Sequence, residues 1–215
     1  MKRCLPRAIA LLSALFCAAT VYAAEPVLDK DYHLVNPPQP TAPGKEIEVI
    51  EFFWYGCPHC YELQPTLKAW LKHLPKDVKF RYVPAIFRDS WVPNARAFYA
   101  LEALGEQAKL HDKIYDAIHV EKIDLNSDAI LIEWLTKQGV DAKKFQDAYS
   151  SFAVQSKIER SKQMSRSYQL QGTPTVVVDG KYLVAPSMTG SYERFTQVLD
   201  QIIVKARQER SGKKG

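Results

Sequence analysis

Cysteine is scarce in this chain. Its 215 residues include four cysteines, and only Cys57 and Cys60 lie beyond the first 23 residues. So few cysteines exclude a fold held together by several disulfides. The sequence also lacks a second Cys-x-x-Cys pair that could complete a four-ligand zinc site. The remaining candidates for zinc ligands are scattered without ligand spacing, at His33, His73, His111 and His119.

Long hydrophobic runs are also missing, apart from one near the N terminus. Residues 1–7 carry three positive charges, and an apolar run from Ala8 to Val21 ends in Val21-Tyr22-Ala23. This is the pattern of a secretory signal peptide, and we expect cleavage after Ala23. The apolar run is too short for a comfortable membrane span, so we expect no membrane insertion of the mature chain.

A strong excess of one charge is absent as well. The formal charge of +5 falls to +2 when Lys2, Arg3 and Arg7 leave with the signal peptide, because residues 1–23 contain no acidic residue. The mature charge therefore gives no reason to expect a nucleic-acid partner. Cleavage also removes Cys4 and Cys17, so an exported chain keeps a single pair of cysteines. That composition suits a protein that passes a disulfide on.

What the sequence does contain is a reactive dithiol at the end of a strand. The apolar, β-branched and aromatic run Ile47–Phe53 predicts a buried strand, and Gly56 predicts a turn. The helical pattern after Cys57 begins at Pro58, a residue that suits the first helical position. The motif Cys57-Pro58-His59-Cys60 is thus predicted to open a helix.

A helix start is a favourable place for a thiolate. The first backbone N–H groups lack partners there and the helix dipole is positive, so the pKa of Cys57 should fall. A protonated His59 should lower it further. We expect Cys57 to be the exposed, attacking sulfur and Cys60 the shielded, resolving one. A half zinc site and a purely structural disulfide remain the alternatives, although so small a ring removes little unfolded-state entropy.

The rest of the chain predicts an α/β fold with a helical insertion. Strand patterns appear at Tyr32–Val35, at Lys79–Pro84 and on both sides of Asp179-Gly180, which is a strong hairpin signal. Helical patterns fill the region between the second and third strand blocks, and a last helix follows from about Ser191 to Arg207. We expect the aromatic residues spaced along the helical region to pack in its core: Phe98, Tyr115, Trp134, Phe145, Tyr149 and Phe152.

These patterns predict five segments. Residues 1–23 form the signal peptide and residues 24–45 a polar, proline-rich segment. Residues 46–90 and 165–210 form one sheet domain, residues 91–164 an inserted helical domain, and residues 211–215 a tail.

The assembled motifs resemble the thioredoxin-like superfamily and, within it, the DsbA family of periplasmic thiol:disulfide oxidoreductases. The resemblance rests on Glu51-Phe52-Phe53, the dithiol followed by Tyr61, the helical insertion, Gly172-Thr173-Pro174 before a strand, and Asp179-Gly180-Lys181-Tyr182. It covers nearly the whole mature chain and implies a thioredoxin-like fold in a periplasmic protein.

The resemblance also implies roles for particular residues. Pro174 should follow a cis peptide bond and lie against the dithiol, so that the backbone of Thr173 can pair with an extended substrate segment. Glu51 should be a buried acid that carries the proton of the inner cysteine, Cys60. The lysine partner that this acid usually has is not evident, since the second strand offers Arg81 and Tyr82 instead.

The sequence therefore predicts a monomeric dithiol oxidase that needs no cofactor beyond its own Cys57–Cys60 disulfide. Its expected partners are unfolded exported proteins with reduced cysteines and, from the resemblance, a quinone-linked membrane oxidase of the DsbB type. Two other functions stay open. One is a disulfide reductase or isomerase kept reduced in the periplasm, and the other is a non-redox binding module that uses the sheet edge near Pro174.

Overall fold

A computed structural model describes residues 24–212. The predicted signal peptide, with Cys4 and Cys17, lies outside the described residues, as does the end of the tail. One five-stranded sheet organises the described chain: β1 (His33–Leu34), β2 (Ile47–Phe53), β3 (Val78–Pro84), β4 (Thr175–Val178) and β5 (Tyr182–Val184). The strand order is β1-β5-β4-β2-β3, with β2 and β3 parallel and the other pairs antiparallel.

Eight helices accompany the sheet within the described part of the chain. They are α1 (Pro58–Leu71), α2 (Val92–Ala103), α3 (Gln107–His119), α4 (Asp128–Lys137), α5 (Ala142–Tyr149), α6 (Phe152–Ser167), α7 (Pro186–Thr189) and α8 (Tyr192–Arg210). A short 3-10 helix, Asp89–Trp91, precedes α2. The sequence patterns miss this turn and α7, because segments of three or four residues are too short to show a helical period. No helix between residues 24 and 212 is both long and apolar enough to cross a membrane.

The predicted strands and the predicted hairpin are present in the structure. The connection from β2 through α1 to β3 joins two parallel strands, and β1 forms a short edge strand against β5. The β4–β5 hairpin turns at Asp179 and Gly180, whose φ angles of 53° and 66° are both positive. Such angles fit a tight two-residue hairpin turn, which explains why this sequence stands between the strands.

Two apolar layers position the dithiol. On one side of the sheet, Val49 of β2 packs in a cluster with Leu63 of α1 and Phe195 of α8. A second cluster joins the dithiol and Phe53 to the helical region, where Phe98 and Tyr115 are buried. The start of α1 therefore lies where the sheet and the helical insertion meet.

One predicted core residue lies at the surface. Phe152 is 86% exposed, whereas Phe145, Trp134 and the other aromatic residues of the helical region are buried or half-buried. Phe152 is the first residue of α6, directly after the N-cap Ser151, and the helix turns Val154 rather than Phe152 into the core. The helical spacing of the aromatic residues is correct, but the prediction that Phe152 packs in the core is wrong. The predicted domain boundary after residue 164 falls within α6 and stays a prediction.

Candidate active site

The two thiols occupy the first turn of α1. Cys57 is the N-cap residue and Pro58 the first helical residue, and the Cys57 N–H donates to the Trp54 carbonyl oxygen at 3.0 Å. Both thiols are free. Cys57 is 8% exposed and Cys60 is fully buried, so Cys57 is the sulfur that another molecule can reach.

The surroundings of Cys57 favour its thiolate. The pKa of Cys57 is lowered from 9.0 to about 5, chiefly by a hydrogen bond with the Cys60 thiol. Burial opposes this shift, while Thr173 and the backbone N–H groups of Cys60 and His59 add to it. The pKa of Cys60 is raised, first by burial and then by its bond to Cys57. One thiol of the pair is therefore a thiolate at neutral pH and the other keeps its proton.

The His59 imidazole lies beside an acidic side chain. Its imidazole side chain is 73% exposed, and Nδ1 lies 3.1 Å from Oε2 of Glu62. The same Glu62 oxygen accepts a hydrogen bond from the Tyr192 hydroxyl at 3.0 Å. The backbone N–H of His59 contributes to the low pKa of Cys57, and its imidazole contacts Glu62. The effect of a protonated imidazole on Cys57 stays a prediction.

Glu51 is a fully buried carboxyl group on β2. Its pKa is raised from 4.5 to about 8, first by burial and then by the charge of Cys57, while Gln64 opposes the rise. Neither carboxyl oxygen has a hydrogen-bond partner among the described residues. The strand register places Tyr82 of β3 beside Glu51, whereas Arg81 lies beside Ile50.

That register settles which β3 residue faces the acid. Arg81 donates from Nε to Oε2 of Glu48 at 3.1 Å, so its charge is held by another carboxylate. The side of the sheet that carries Glu51 presents the phenol of Tyr82 instead of a lysine. With the Tyr82 phenol rather than a cation beside Glu51 on β3, the neutral acid is the favoured form.

The loop before β4 lies against the dithiol. The Thr173–Pro174 peptide bond is cis, as the resemblance implies. The Cys57 thiol donates to the Thr173 carbonyl oxygen, 3.3 Å from Sγ. Because a carbonyl oxygen only accepts, this bond exists for the thiol and is lost in the thiolate; Thr173 favours the thiolate through its side chain.

A groove of about 1200 Å³ runs from this contact along the edge of the sheet. His59, Thr173 and Pro174 stand at its dithiol end, and Leu28 and Leu34 near β1 also line it. Sequence reasoning did not find Glu62 or Tyr192 as groove residues, and it left open whether Met188, which also lines the groove, belongs there. No local pattern could have found them, because α1, α7 and α8 meet only in the folded chain.

Two histidines of the helical insertion contact the turn before the dithiol. Nδ1 of buried His111 lies 2.9 Å from the Tyr55 hydroxyl, and Nε2 of His119 lies 2.7 Å from the Tyr55 carbonyl oxygen. Burial lowers the pKa of His111 to about 4, so this imidazole is neutral at pH 7. Within residues 24–212, no group of three or more histidine, cysteine and acidic side chains is arranged to hold a metal ion.

Comparisons with known proteins agree on one family. The family model of the DSBA-like thioredoxin domain matches residues 48–200. The thiol:disulfide interchange protein DsbA of Burkholderia cepacia is 43% identical over 204 residues, which cover 94% of this chain and 96% of the relative. The namesake from Azotobacter vinelandii is 44% identical over 169 residues, covering 79% of this chain and 77% of the relative.

A solved structure gives the same result. The crystal structure of Pseudomonas aeruginosa DsbA superimposes with a TM-score of 0.82 at 36% sequence identity. The match covers 86% of this chain and 96% of that protein.

Proposed function

The chain belongs to the DSBA-like thioredoxin domain family and is a thiol:disulfide oxidoreductase, and we propose that it donates its Cys57–Cys60 disulfide to newly exported proteins. The observation that carries this direction is the stabilised thiolate of Cys57. A protein that is more stable with its dithiol reduced gives its disulfide away.

The proposed reaction balances as two thiol–disulfide exchanges. A client thiolate attacks Sγ of Cys57, the Cys57–Cys60 bond breaks, and the released electron pair leaves Cys60 as a thiolate that takes up a proton. A second client thiolate then attacks the client sulfur of the mixed disulfide. The client gains a disulfide and Cys57 departs as a thiolate, so two electrons have moved from the client to the protein.

The pKa of Cys57 determines how favourable this reduction is. The pKa of Cys57 is about 5, so pH 7 lies about two pH units above the midpoint of its titration. The thiolate is then favoured by about 2.7 kcal/mol, whereas an ordinary cysteine gains almost nothing. At 1.4 kcal/mol per 30 mV, this amounts to roughly 60 mV of added oxidising power.

Other residues of the site support particular steps. Glu51, held neutral at pH 7 by burial, is proposed to exchange a proton with Cys60 as that sulfur leaves and re-forms its bond. The backbone of Thr173, next to the cis Pro174, is proposed to pair with an extended client segment. Pro58 sets the helix start that directs N–H groups at Cys57.

We place this activity in the periplasm, where the signal-peptide pattern of residues 1–23 would deliver the chain. The proposed clients are unfolded exported proteins with reduced cysteines. Each turnover leaves the dithiol reduced, so a membrane oxidase of the DsbB type is the proposed partner that restores it. The redox group is the chain's own disulfide.

Equilibration with glutathione buffers tests the direction. The purified protein is incubated at fixed ratios of reduced to oxidised glutathione, trapped with acid and alkylated, and the oxidised fraction is measured by mass. We expect the dithiol to stay largely reduced until oxidised glutathione is abundant. A pair that is already oxidised in mostly reduced glutathione, as in a thioredoxin-like reductant, would contradict the proposal.

A further inference from the structure

The groove beside the dithiol is apolar but carries charge of one sign. Among the described residues that line it, Asp29 and Glu62 are acidic and none is lysine or arginine. Counted with histidine as uncharged, by the same convention as the formal charge of the whole chain, the lining carries −2. Such a surface attracts cations and repels anions that enter with a client.

Glu62 stands at the reacting end of this groove. Its Oε2 accepts from Tyr192 at 3.0 Å and lies 3.1 Å from Nδ1 of His59. These hydrogen bonds lower the pKa of Glu62, so the side chain is ionised at neutral pH. The carboxylate is 54% exposed and is held from two sides, which leaves its charge in a fixed place open to a client segment.

Asp29 gives the far end of the groove a similar arrangement. Its Oδ1 lies 3.1 Å from Nδ1 of His33 on the edge strand β1, and its side chain is 77% exposed. The two carboxylates therefore lie at different places along one groove, each next to a histidine and neither next to a lysine or arginine of the lining.

We propose that this groove favours client segments that carry a basic side chain close to the reacting cysteine, and that Glu62 is the main residue that sets this preference. The inference rests on the proposed function and adds a substrate class to it. A lysine or arginine beside the client cysteine would lie near Glu62 when the client sulfur reaches Cys57. A glutamate in the same position would be repelled.

The expected size of the preference is modest. An exposed pair of charges is screened by water and salt, so one such contact changes a rate by a small factor. Replacing a client lysine by glutamate turns attraction into repulsion and doubles the difference. We expect Glu62 to contribute about threefold to the ratio of the two rates.

A second effect of Glu62 must be separated by the experiment. Glu62 stands five residues after Cys57 in the first turns of α1, where a negative charge acts against a thiolate. Removing it would then change the redox balance of the protein and alter the rate for every client by the same factor. A preference among clients appears only in the ratio of rates.

The test uses three model peptides with two cysteines each. They are identical except for one residue next to the first cysteine, which is lysine, glutamine or glutamate. The oxidised wild-type protein, Glu62→Gln and the matched control Glu133→Gln are mixed with each reduced peptide, and the rate of peptide oxidation is measured. Glu133 is an exposed carboxylate on α4, paired with Lys137 at 2.6 Å and outside the groove lining.

We expect the wild-type rates to rank lysine above glutamine above glutamate. The lysine-to-glutamate ratio should fall about threefold in Glu62→Gln, stay unchanged in Glu133→Gln and shrink for the wild type in 1 M salt. Comparing the ratio between variants cancels the effect of the neighbouring residue on the peptide's own thiol. Asp29→Asn should lower the ratio by a smaller factor, which gives a second reading if Glu62→Gln folds poorly.

Two outcomes would overturn the proposal in different ways. If the wild type oxidises all three peptides and Glu62→Gln changes the three rates by one common factor, Glu62 affects only the dithiol and the client preference is refuted. If the wild type oxidises none of the peptides, the proposed oxidase function itself fails and the preference fails with it.

Discussion

Two side chains of the site hold their protons in opposite ways. Glu51 keeps a proton far above the usual range of a carboxyl group, because burial disfavours its charge. Cys57 loses its proton far below the usual range of a thiol, with Cys60 as the main donor to its sulfur. In the reduced protein, their effects on stability therefore run in opposite directions as the pH rises.

Replacing Glu51 should remove one of these two opposite effects of pH on the stability of the reduced protein. Between pH 4.5 and 8 the folded state holds a proton on Glu51 that the unfolded state has released, so the free energy of unfolding falls as pH rises. We expect reduced Glu51→Gln to match the wild type near pH 4 and to be more stable at pH 8, by about 5 kcal/mol at most. Denaturant unfolding at a series of pH values measures the difference.

Cys57 determines how the free energy of unfolding of reduced Glu51→Gln should change with pH. Its pKa is lowered in the folded state, so its contribution to stability grows from pH 5 towards pH 9 and is lost as the pH falls through about 5. Glu51→Gln should therefore become more stable as the pH rises, while the wild type stays nearly level. Glu46→Gln, at a side chain that is 59% exposed, is the control. Parallel curves for wild type and Glu51→Gln would contradict the assignment.

At this scale the sequence predicted the residues better than their contacts. The helix-start argument found the dithiol, and the resemblance gave the cis bond before Pro174. The direction of the His59 imidazole could not be predicted, because its partner Glu62 is itself held by Tyr192, 130 residues further along the chain. Contacts between distant segments leave no periodic trace in a sequence.

At the scale of single elements, the turn between β2 and α1 depends on a glycine. A Cβ atom on Gly56 would lie 2.3 Å from Cζ2 of Trp54. The Trp54 ring cannot simply move aside, because it stacks on Trp91 with ring centroids 4.2 Å apart and planes 5° apart. The turn thus requires a residue without a side chain next to Cys57.

We therefore expect Gly56→Ala to destabilise the protein by about 1–3 kcal/mol, the usual cost of overpacking. Chemical denaturation measures the loss, and tryptophan fluorescence should report the displaced ring. Gly172→Ala is the matched control, since a Cβ there would meet no atom within 4 Å. Equal stability of the two variants would show that the Trp54 ring does not restrict this turn.

The boundaries of the elements could largely be predicted from the sequence. The side chains of Asp141 and Ser151 accept hydrogen bonds from the backbone N–H groups of Lys144 and Val154. Aspartate and serine are preferred N-cap residues, so residue type alone indicates where α5 and α6 begin. Ser127 is the N-cap of α4 but makes no such bond. Its side-chain geometry depends on the folded loop and could not be read from residue type.

At the scale of the whole molecule, Arg210 at the end of α8 joins three distant segments. Its guanidinium group pairs with Asp179 in the hairpin turn and donates to Thr41, Ala42 and Gly44 of the proline-rich segment. Asp179 is only 2% exposed. The carboxylate is therefore buried mainly against this one cation, with Lys181 at 3.7 Å as a second neighbour.

Removing the guanidinium should cost far more than removing a surface charge. We expect Arg210→Met to lower the free energy of unfolding by about 3–5 kcal/mol, because Asp179 would remain buried with little compensation. The double variant Arg210→Met/Asp179→Asn should recover part of that loss. Thermal and denaturant unfolding measure both.

Arg207 provides the comparison for this experiment. It pairs with Asp77 at 2.6 Å, but both side chains are 37% exposed, so Arg207→Met should cost less than about 1 kcal/mol. Similar losses in Arg207→Met and Arg210→Met would contradict the argument from burial. The sequence could predict the hairpin and the closing helix, but not that one arginine connects them to residues 41–44.

The direct test of the central claim is the titration of Cys57 in the reduced protein, followed by the ultraviolet absorbance of the thiolate. Only one thiolate should form in the accessible range, because the pKa of Cys60 is raised well above its usual value. We expect a midpoint at about pH 5. A midpoint near that of free cysteine, about 8.5, would contradict the account.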